Sequence, residues 1–445
     1  MHVALIAMSG VRAANPELTR LGLTLPGFVE RSRVIASMPT LSLLTLAGMT
    51  PDRFEVSYHE VRDLTEIADL PACDLAAFAT QTAQVKDAYA LAARFRAAGV
   101  PTVLGGLHAT VLPDEAERHV DAVVVGEGEL SWPRVLEDAE RGRLQRRYTP
   151  GPKEFDLRNS PMPRFELLDP ERYNRIPIQT TRGCPWRCEF CASSILLVRG
   201  YRMKPVDRVL AELRAVRRIW RRPFIEFADD NTFVNKRHAK ALMRALADEG
   251  GVRWFTETDV SVADDEELLA LMREAGCAQV LIGFESPTAA PLADVELRRD
   301  WKRRRFDGYK RAIAHIQSHG ISVNGCFVLG LDGATAADFA AVRDFVEESE
   351  LQEVQITVQT AFPGTPLYAR LARDGRLLDA TAWEKCTLFD VNFRPARMSV
   401  EELEQGLIEL SRDLYSAEAK ARRKQLFRET RRGSRPPRKP DVRAA

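Results

Sequence analysis

Short runs of valine, isoleucine, leucine and alanine alternate along the chain with stretches of helical periodicity, and this alternation most restricts the fold. A run that is apolar at nearly every position suits a strand buried on both faces. That burial belongs to parallel sheets, whose strands are joined by crossover helices. The chain is therefore read as α/β. Candidate strands stand at 2–8, 54–59, 74–79, 102–105 and 121–125, with a helix at 88–98 before the fourth.

About five strands in the first ~125 residues suit a doubly wound, flavodoxin-like (Rossmann-type) domain over 1–141. Residues 142–177 hold Pro150, Pro152, Pro161, Pro163, Pro170 and Pro177 with little periodicity, so they are expected to form an extended linker. From residue 178 the alternation resumes, with strands expected at 178–181, 225–228, 254–258, 279–284, 322–329 and 353–357 and helices at 206–219 and 264–275. Such units predict a partial or full β/α barrel over 178–366. A helical region over 367–421 follows, with an irregular stretch at 386–398. From Lys420 onward eleven lysines and arginines face only Glu429 and Asp441, so 422–445 reads as a solvated, disordered basic tail.

Lysine plus arginine exceeds aspartate plus glutamate by 64 − 63 = 1, and 45% of residues are apolar. That balance excludes a disordered chain or a protein that coats nucleic acid, so no nucleic-acid partner is expected. No apolar run approaches the roughly 18 residues of a membrane span, and the first ten residues lack a secretory signal pattern. A cytoplasmic location is expected. The seven cysteines are odd in number and uneven in spacing, which fits a reducing compartment better than a disulfide framework.

Three of those cysteines are close together, in Thr180-Thr181-Arg182-Gly183-Cys184-Pro185-Trp186-Arg187-Cys188-Glu189-Phe190-Cys191. With cysteine at 7 of 445 positions, chance places two more at +4 and +7 from one of them with a probability of roughly 0.002. A structural zinc site wants four closed ligands, and no fourth ligand follows at zinc-finger spacing. A cubane iron–sulfur cluster normally takes four thiolates, so three would leave one iron open to a small chelating molecule. At these residues the chain resembles the radical S-adenosylmethionine (SAM) superfamily, whose C-x-x-x-C-x-aromatic-C signature is completed by Phe190.

The resemblance implies a 4Fe-4S cluster on Cys184, Cys188 and Cys191, and SAM on the open iron. One-electron cleavage of SAM would yield a 5′-deoxyadenosyl radical that takes a hydrogen atom from the substrate. It also implies an electron donor such as flavodoxin or ferredoxin. Further motifs match at later strand ends: Phe227-Ala228-Asp229-Asp230-Asn231, Glu257, and Gly283-Phe284-Glu285-Ser286. By resemblance Phe190, Asp229, Glu257, Glu285 and Ser286 contact SAM, and Gly330 at the end of 323–330 lets adenine approach. Each polar residue could instead be a helix cap or a salt-bridged strand end. Phe362-Pro363-Gly364-Thr365-Pro366 reads as a turn, and by resemblance as a substrate-side loop.

The first domain carries Pro39-Thr40-Leu41-Ser42-Leu43-Leu44-Thr45-Leu46-Ala47, Gly105-Gly106-Leu107-His108-Ala109-Thr110 and Gly126-Glu127-Gly128-Glu129, in an order that resembles the cobalamin-binding subclass. Glycines at strand ends let a large ligand approach the backbone. By resemblance Thr80, Gln81, Thr82, Gly105, Gly106, Gly126 and Glu127 contact cobalamin. Ser9-Gly10-Val11-Arg12 stands where a histidine ligand of cobalt would be sought, and His108 reads as a structural residue. The subclass implies methylation of an unactivated carbon in a small or lipid-like metabolite. Cyclisation or rearrangement is the alternative, and a non-catalytic corrinoid-binding protein or iron–sulfur sensor is the second. The run Arg298-Arg299-Asp300-Trp301-Lys302-Arg303-Arg304-Arg305 reads equally as a solvated helix start or a grip for an anion.

Overall fold

The fold is described from a computed structural model covering residues 1–21, 38–151, 154–192, 200–293, 295–298 and 300–433. Two six-stranded, all-parallel sheets organise it. The first contains β1 (His2–Met8), β2 (Glu55–Val61), β3 (Leu75–Ala79), β4 (Thr102–Gly105), β5 (Ala122–Val124) and β6 (Arg147–Tyr148). Their order is β2-β1-β3-β4-β5-β6, the flavodoxin-like order with one added edge strand. Alternate residues of β1 explain the double winding. Ala4, Ile6 and Met8 join one apolar core, while Val3, Leu5 and Ala7 join another on the opposite face.

After β7 (Ile176–Ile178) come the short antiparallel pair β8 (Thr181–Arg182) and β9 (Arg202–Met203). Then follow β10 (Phe224–Phe227), β11 (Arg253–Thr258), β12 (Cys277–Glu285), β13 (Ser322–Leu329) and β14 (Glu353–Val358). The second sheet runs β7-β10-β11-β12-β13-β14 in strict succession, which is the strand set of a partial β/α barrel. Val280, Ile282 and Phe284 of β12 and Val323, Phe327 and Leu329 of β13 share the core beneath the outer helices. By strand alternation Leu281, Gly283 and Glu285, with Asn324, Cys326 and Val328, form the inner face.

Three expectations change. Residues 142–177 are not an extended linker. Tyr148 lies in β6, and Phe165, Leu168, Tyr173 and Ile176 are buried in the barrel core, which begins two residues before 178. The prolines stop regular structure without preventing burial, because apolar side chains separate them.

The C-terminal region is not simply helical. Between the helices Pro366–Arg373 and Val400–Tyr415, the chain returns to the first domain, where Trp383 and Cys386 join the core. A last helix, Ala417–Gly433, then extends through residues 422–433, which were expected to be disordered. Arg423 anchors it, buried and donating to the carbonyls of Leu414 (2.8 Å) and Gln352 (3.4 Å). Residues 434–445 lie outside the described set. Among the described residues no helix is long and apolar enough to cross a membrane.

Candidate functional site

The cysteine loop follows β8 and is held from several directions. Glu189 N–H donates to Val295 O (2.8 Å), Leu297 N–H to Arg187 O (2.9 Å), and Cys191 N–H to Cys188 O (3.0 Å). The Glu189 carboxylate accepts both Nε and Nη2 of Arg370, at 2.7 and 2.8 Å, a forked geometry that fixes orientation as well as distance. Trp186 donates its indole N–H to Asp259 (2.9 Å) and stacks on Trp301 with ring centroids 4.5 Å apart. Phe190 packs between the barrel core and a small apolar cluster containing Cys188 and Val328.

None of the seven cysteines forms a disulfide. Burial pushes the Cys184 thiol up to about 11 and Cys188 higher still. As bare thiols they are protonated and poor nucleophiles near neutral pH, whereas a bound metal would replace the proton. Three thiolates from one short loop would suit a multi-iron cluster with one thiolate per iron.

The SAM-motif residues gather at the strand ends around this loop, but they differ in what they leave free. Asp229 is fully engaged: one oxygen accepts Thr180 N–H (2.7 Å) and Thr181 N–H (2.9 Å), and the other accepts the hydroxyls of Thr180 and Thr232. Its carboxylate therefore positions the chain just after β7 and has little left for a ligand. Asp230 accepts Gly183 N–H at 2.7 Å, fixing the residue before Cys184.

Glu257 is accessible in the empty protein yet densely surrounded by it, as befits a group facing an internal space. Burial, followed by the negative charges of Glu226, Asp230 and Asp229, raises it to about 8. Glu285 ends β12 with φ 63, in the left-handed region, and forms a buried ion pair with Lys302 Nζ at 2.7 Å. The Ser286 hydroxyl contacts Thr288 Oγ1 (3.1 Å) and accepts Thr288 N–H (3.1 Å).

Sequence reading missed the buried amides of the inner face. Neither amide atom of Asn324 has a partner, and neither do Oε1 of Gln355 and Oε1 of Gln359. Unpartnered buried amides are costly in a closed core, so they suit a polar ligand such as SAM. Gly330 has φ 80, and a Cβ there would lie 2.6 Å from Leu403 of the helix Val400–Tyr415, so packing asks for a small residue at this strand end. Lys302, grouped in the sequence with solvated or anion-gripping residues, is buried against Glu285; Arg299 lies outside the described residues.

The first domain opens into a cavity of about 760 Å³ at the carboxyl ends of its strands. Thr80, Gln81, Thr82, Gly105, Gly106, Gly126 and Glu127 all line it, together with 38–43. Gly106 has φ 105, and a Cβ would press to 3.3 Å from Thr80 O, so glycine is required there. The hydroxyl of buried Thr82 and that of Ser9 lack partners at this wall, which suits the polar edge of a large ligand. Leu388, with φ 70, enters from the C-terminal segment. His108 is fully buried against Glu115 (3.2 Å) outside the lining, and burial lowers its pKa. No cobalt ligand role falls to it.

Glu127 corrects its expected role. Its carboxylate accepts Arg182 (2.6 Å), Arg202 (2.8 and 3.1 Å) and Phe155 N–H (2.7 Å), while Glu129 accepts Arg182 at 2.7 Å. It fastens the two domains at the cavity wall and has little left for a ligand. Burial alone would raise its pKa, but these donors outweigh it and hold it below the usual glutamate value of 4.5. The sign follows: stability from this network is present above about pH 4.5 and is lost as pH falls through the depressed value. Glu127→Gln should cost about 2 kcal/mol at pH 7 and flatten the acid limb of a thermal-midpoint profile between about pH 5 and 3.

The cavity also reaches the barrel, where Gln179, Arg182, Ala192, Lys204, Ala228 and Asp230 line it. Ala192 directly follows Cys191, so one space joins the glycine loops of the first sheet to the cysteine loop.

Comparisons with known proteins agree with this arrangement. Residues 178–346 match the family model of the radical SAM superfamily, 33–136 that of the B12 binding domain, and 365–444 a domain of unknown function. A bacteriochlorophyllide d C-12(1)-methyltransferase from Chlorobaculum tepidum is 29% identical, over 87% of this chain and 85% of the relative. An uncharacterized methyltransferase from Synechocystis sp. is 30% identical over 85% and 71%, and the hopanoid C-2 methylase of Rhodopseudomonas palustris 29% over 78% and 66%. The structure of the radical SAM methyltransferase TsrM from Kitasatospora setae, with cobalamin and a [4Fe-4S] cluster bound, shares the fold: TM-score 0.70, 16% identity, covering 97% of this chain and 99% of that one.

Proposed function

The chain belongs to the cobalamin-binding radical SAM family, and on that premise we propose that it methylates an unactivated carbon of a small or lipid-like metabolite. The supporting observation is the shared cavity, which brings the corrinoid-side loops and the cysteine loop to one space. Its apolar wall, including Met8, Leu41, Phe78, Leu107, Trp132 and Phe362, suits ligands with substantial apolar surface, the corrin ring among them.

In this reading Cys184, Cys188 and Cys191 hold the 4Fe-4S cluster. Phe190, Glu257, Glu285, Ser286 and the unpaired amide of Asn324 surround SAM. Thr80, Gln81, Thr82 and the glycines 105, 106 and 126 face cobalamin. When bound, the cluster with SAM supplies hydrogen-atom abstraction, and cobalamin supplies the methyl group. The protein's own contribution is to orient these partners and exclude water. Arg370 and Trp186 fix the cysteine loop, and the Glu127 network keeps the two cofactor walls facing each other. A small flavodoxin or ferredoxin of the cytoplasm would deliver the electron.

Glu257 offers a two-sided prediction. Its raised pKa means that ionisation weakens the empty fold as pH rises from the ordinary value of 4.5 through about 8. Glu257→Gln should therefore stabilise the cofactor-free protein at pH 8, while SAM binding, measured by equilibrium dialysis on the cluster-loaded protein, weakens about tenfold.

The deciding experiment incubates the anaerobically reconstituted, cobalamin-loaded protein with a strong reductant, methyl-deuterated SAM and candidate metabolites. Methylation requires deuterium in the product, with 5′-deoxyadenosine and S-adenosylhomocysteine formed together. 5′-Deoxyadenosine without methyl transfer would point to cyclisation or rearrangement. Absence of both products would favour a sensor.

A further inference from the structure

A separate group of metal-ligating side chains lies on the outside of the barrel. Glu266 opens the helix Glu266–Glu274 after β11, His315 lies in the helix Tyr309–Ser318 after β12, and His319 caps that helix. The ligand atoms of all three lie within 4.8 Å of one another. We infer that Glu266, His315 and His319 form a surface site for a divalent transition-metal ion of the zinc type, distinct from the cysteine centre.

The hydrogen bonds of the two rings carry the inference. His315 Nδ1 lies 2.8 Å from the carbonyl of Ala263, and His319 Nδ1 lies 3.1 Å from the carbonyl of His315. A carbonyl only accepts, so both rings carry hydrogen at Nδ1 and present Nε2 to the carboxylate. Those Nε2 atoms lie 2.7 and 3.0 Å from the two oxygens of Glu266.

In a neutral ring, that places a lone pair against an anionic oxygen. One metal ion shared by all three ligands satisfies this arrangement, as would protons lying between the rings and the carboxylate. Two imidazoles and a carboxylate with an open position are a zinc-type donor set. Holding the far ring nitrogen on a main-chain carbonyl is the usual way a ligating histidine is oriented. Glu266 is 71% exposed, so an ion can enter from solvent. Bound there, it would clamp the two helices that follow β11 and β12, the strands carrying Glu257 and Glu285.

The test uses the full-length, cluster-reconstituted protein, freed of adventitious metal, exposed to Zn²⁺ and desalted. Zinc and iron are then measured in the same sample, and thermal midpoints are recorded with and without Zn²⁺. The site predicts one zinc per chain at unchanged iron and a raised midpoint. Both effects should be lost in Glu266→Gln and His315→Ala, whose exposed side chains can change without unfolding the protein, and in His319→Ala. Equal zinc uptake by these variants, uptake matched by iron loss, or no uptake by the wild type would overturn the proposal, leaving a proton-mediated ion-pair cluster.

Discussion

Replacing Cys188 by alanine should abolish iron–sulfur loading and leave the fold standing. The thiol is buried in an apolar cluster with Val295, Val328, Leu331 and Ala334, so removing it creates a small apolar gap with no orphaned charge. That costs about 1 kcal/mol, well within the stability of a chain with two complete sheets. The effect on chemistry is of another order. With two thiolates remaining, a cubane would lack one of its protein ligands, and SAM the centre that would orient it. Iron and sulfide per chain, the visible cluster absorption and 5′-deoxyadenosine formation should all collapse, the last by more than about a thousandfold. Cys73→Ala, in the first domain, should change none of them. Retention of full iron in Cys188→Ala would remove the basis for placing the cluster on this loop.

The strands were legible where burial on both faces forced continuous apolar runs. The strand expected at 322–329 is β13 to the residue, and β10, β11, β12 and β14 lie within two residues of their expected limits. The cysteine trio was legible because its chemistry depends on spacing, which sequence displays directly. Burial in 142–177 was hidden because proline density disrupts periodicity, yet Phe165 and Tyr173 still reach the core.

What sequence cannot show is which donors a side chain has already met. Asp229 and Glu127 have the residue types of ligand contacts, but Thr180, Thr181 and Thr232 satisfy the first, while Arg182 and Arg202 satisfy the second. Apart from the local Thr232, these partners lie 48 to 75 residues away in the chain. Asn324 shows the reverse. It is an ordinary residue in an apolar strand until the fold leaves its amide buried and unpaired. The pair His315 and His319 did carry a signal, spacing of four on a helix, that becomes meaningful only when Glu266 arrives from the neighbouring helix.

Lys302→Met should destabilise the barrel by about 3–5 kcal/mol, although it removes a single lysine from a basic run. Lys302 Nζ donates to Glu285 (2.7 Å) and to the carbonyl of Gly283 (2.6 Å), with the two side chains only 8% and 9% exposed. Burial opposes the lysine's charge, but the Glu285 carboxylate outweighs it, holding the ammonium charged well above the usual range. Without it, the Glu285 carboxylate is buried uncompensated beside a β-bulge, on a residue whose left-handed φ already costs about 1–3 kcal/mol. Methionine fills similar volume, so the loss reports charge and not packing. Denaturation followed by tryptophan fluorescence suits the test, because Trp301, stacked on Trp186, directly precedes Lys302. Adding Glu285→Gln should recover part of the loss, since it removes the stranded charge. If Lys302→Met unfolds at the wild-type midpoint, or if the second change deepens the loss additively, Glu285 is not held in place by its ion pair.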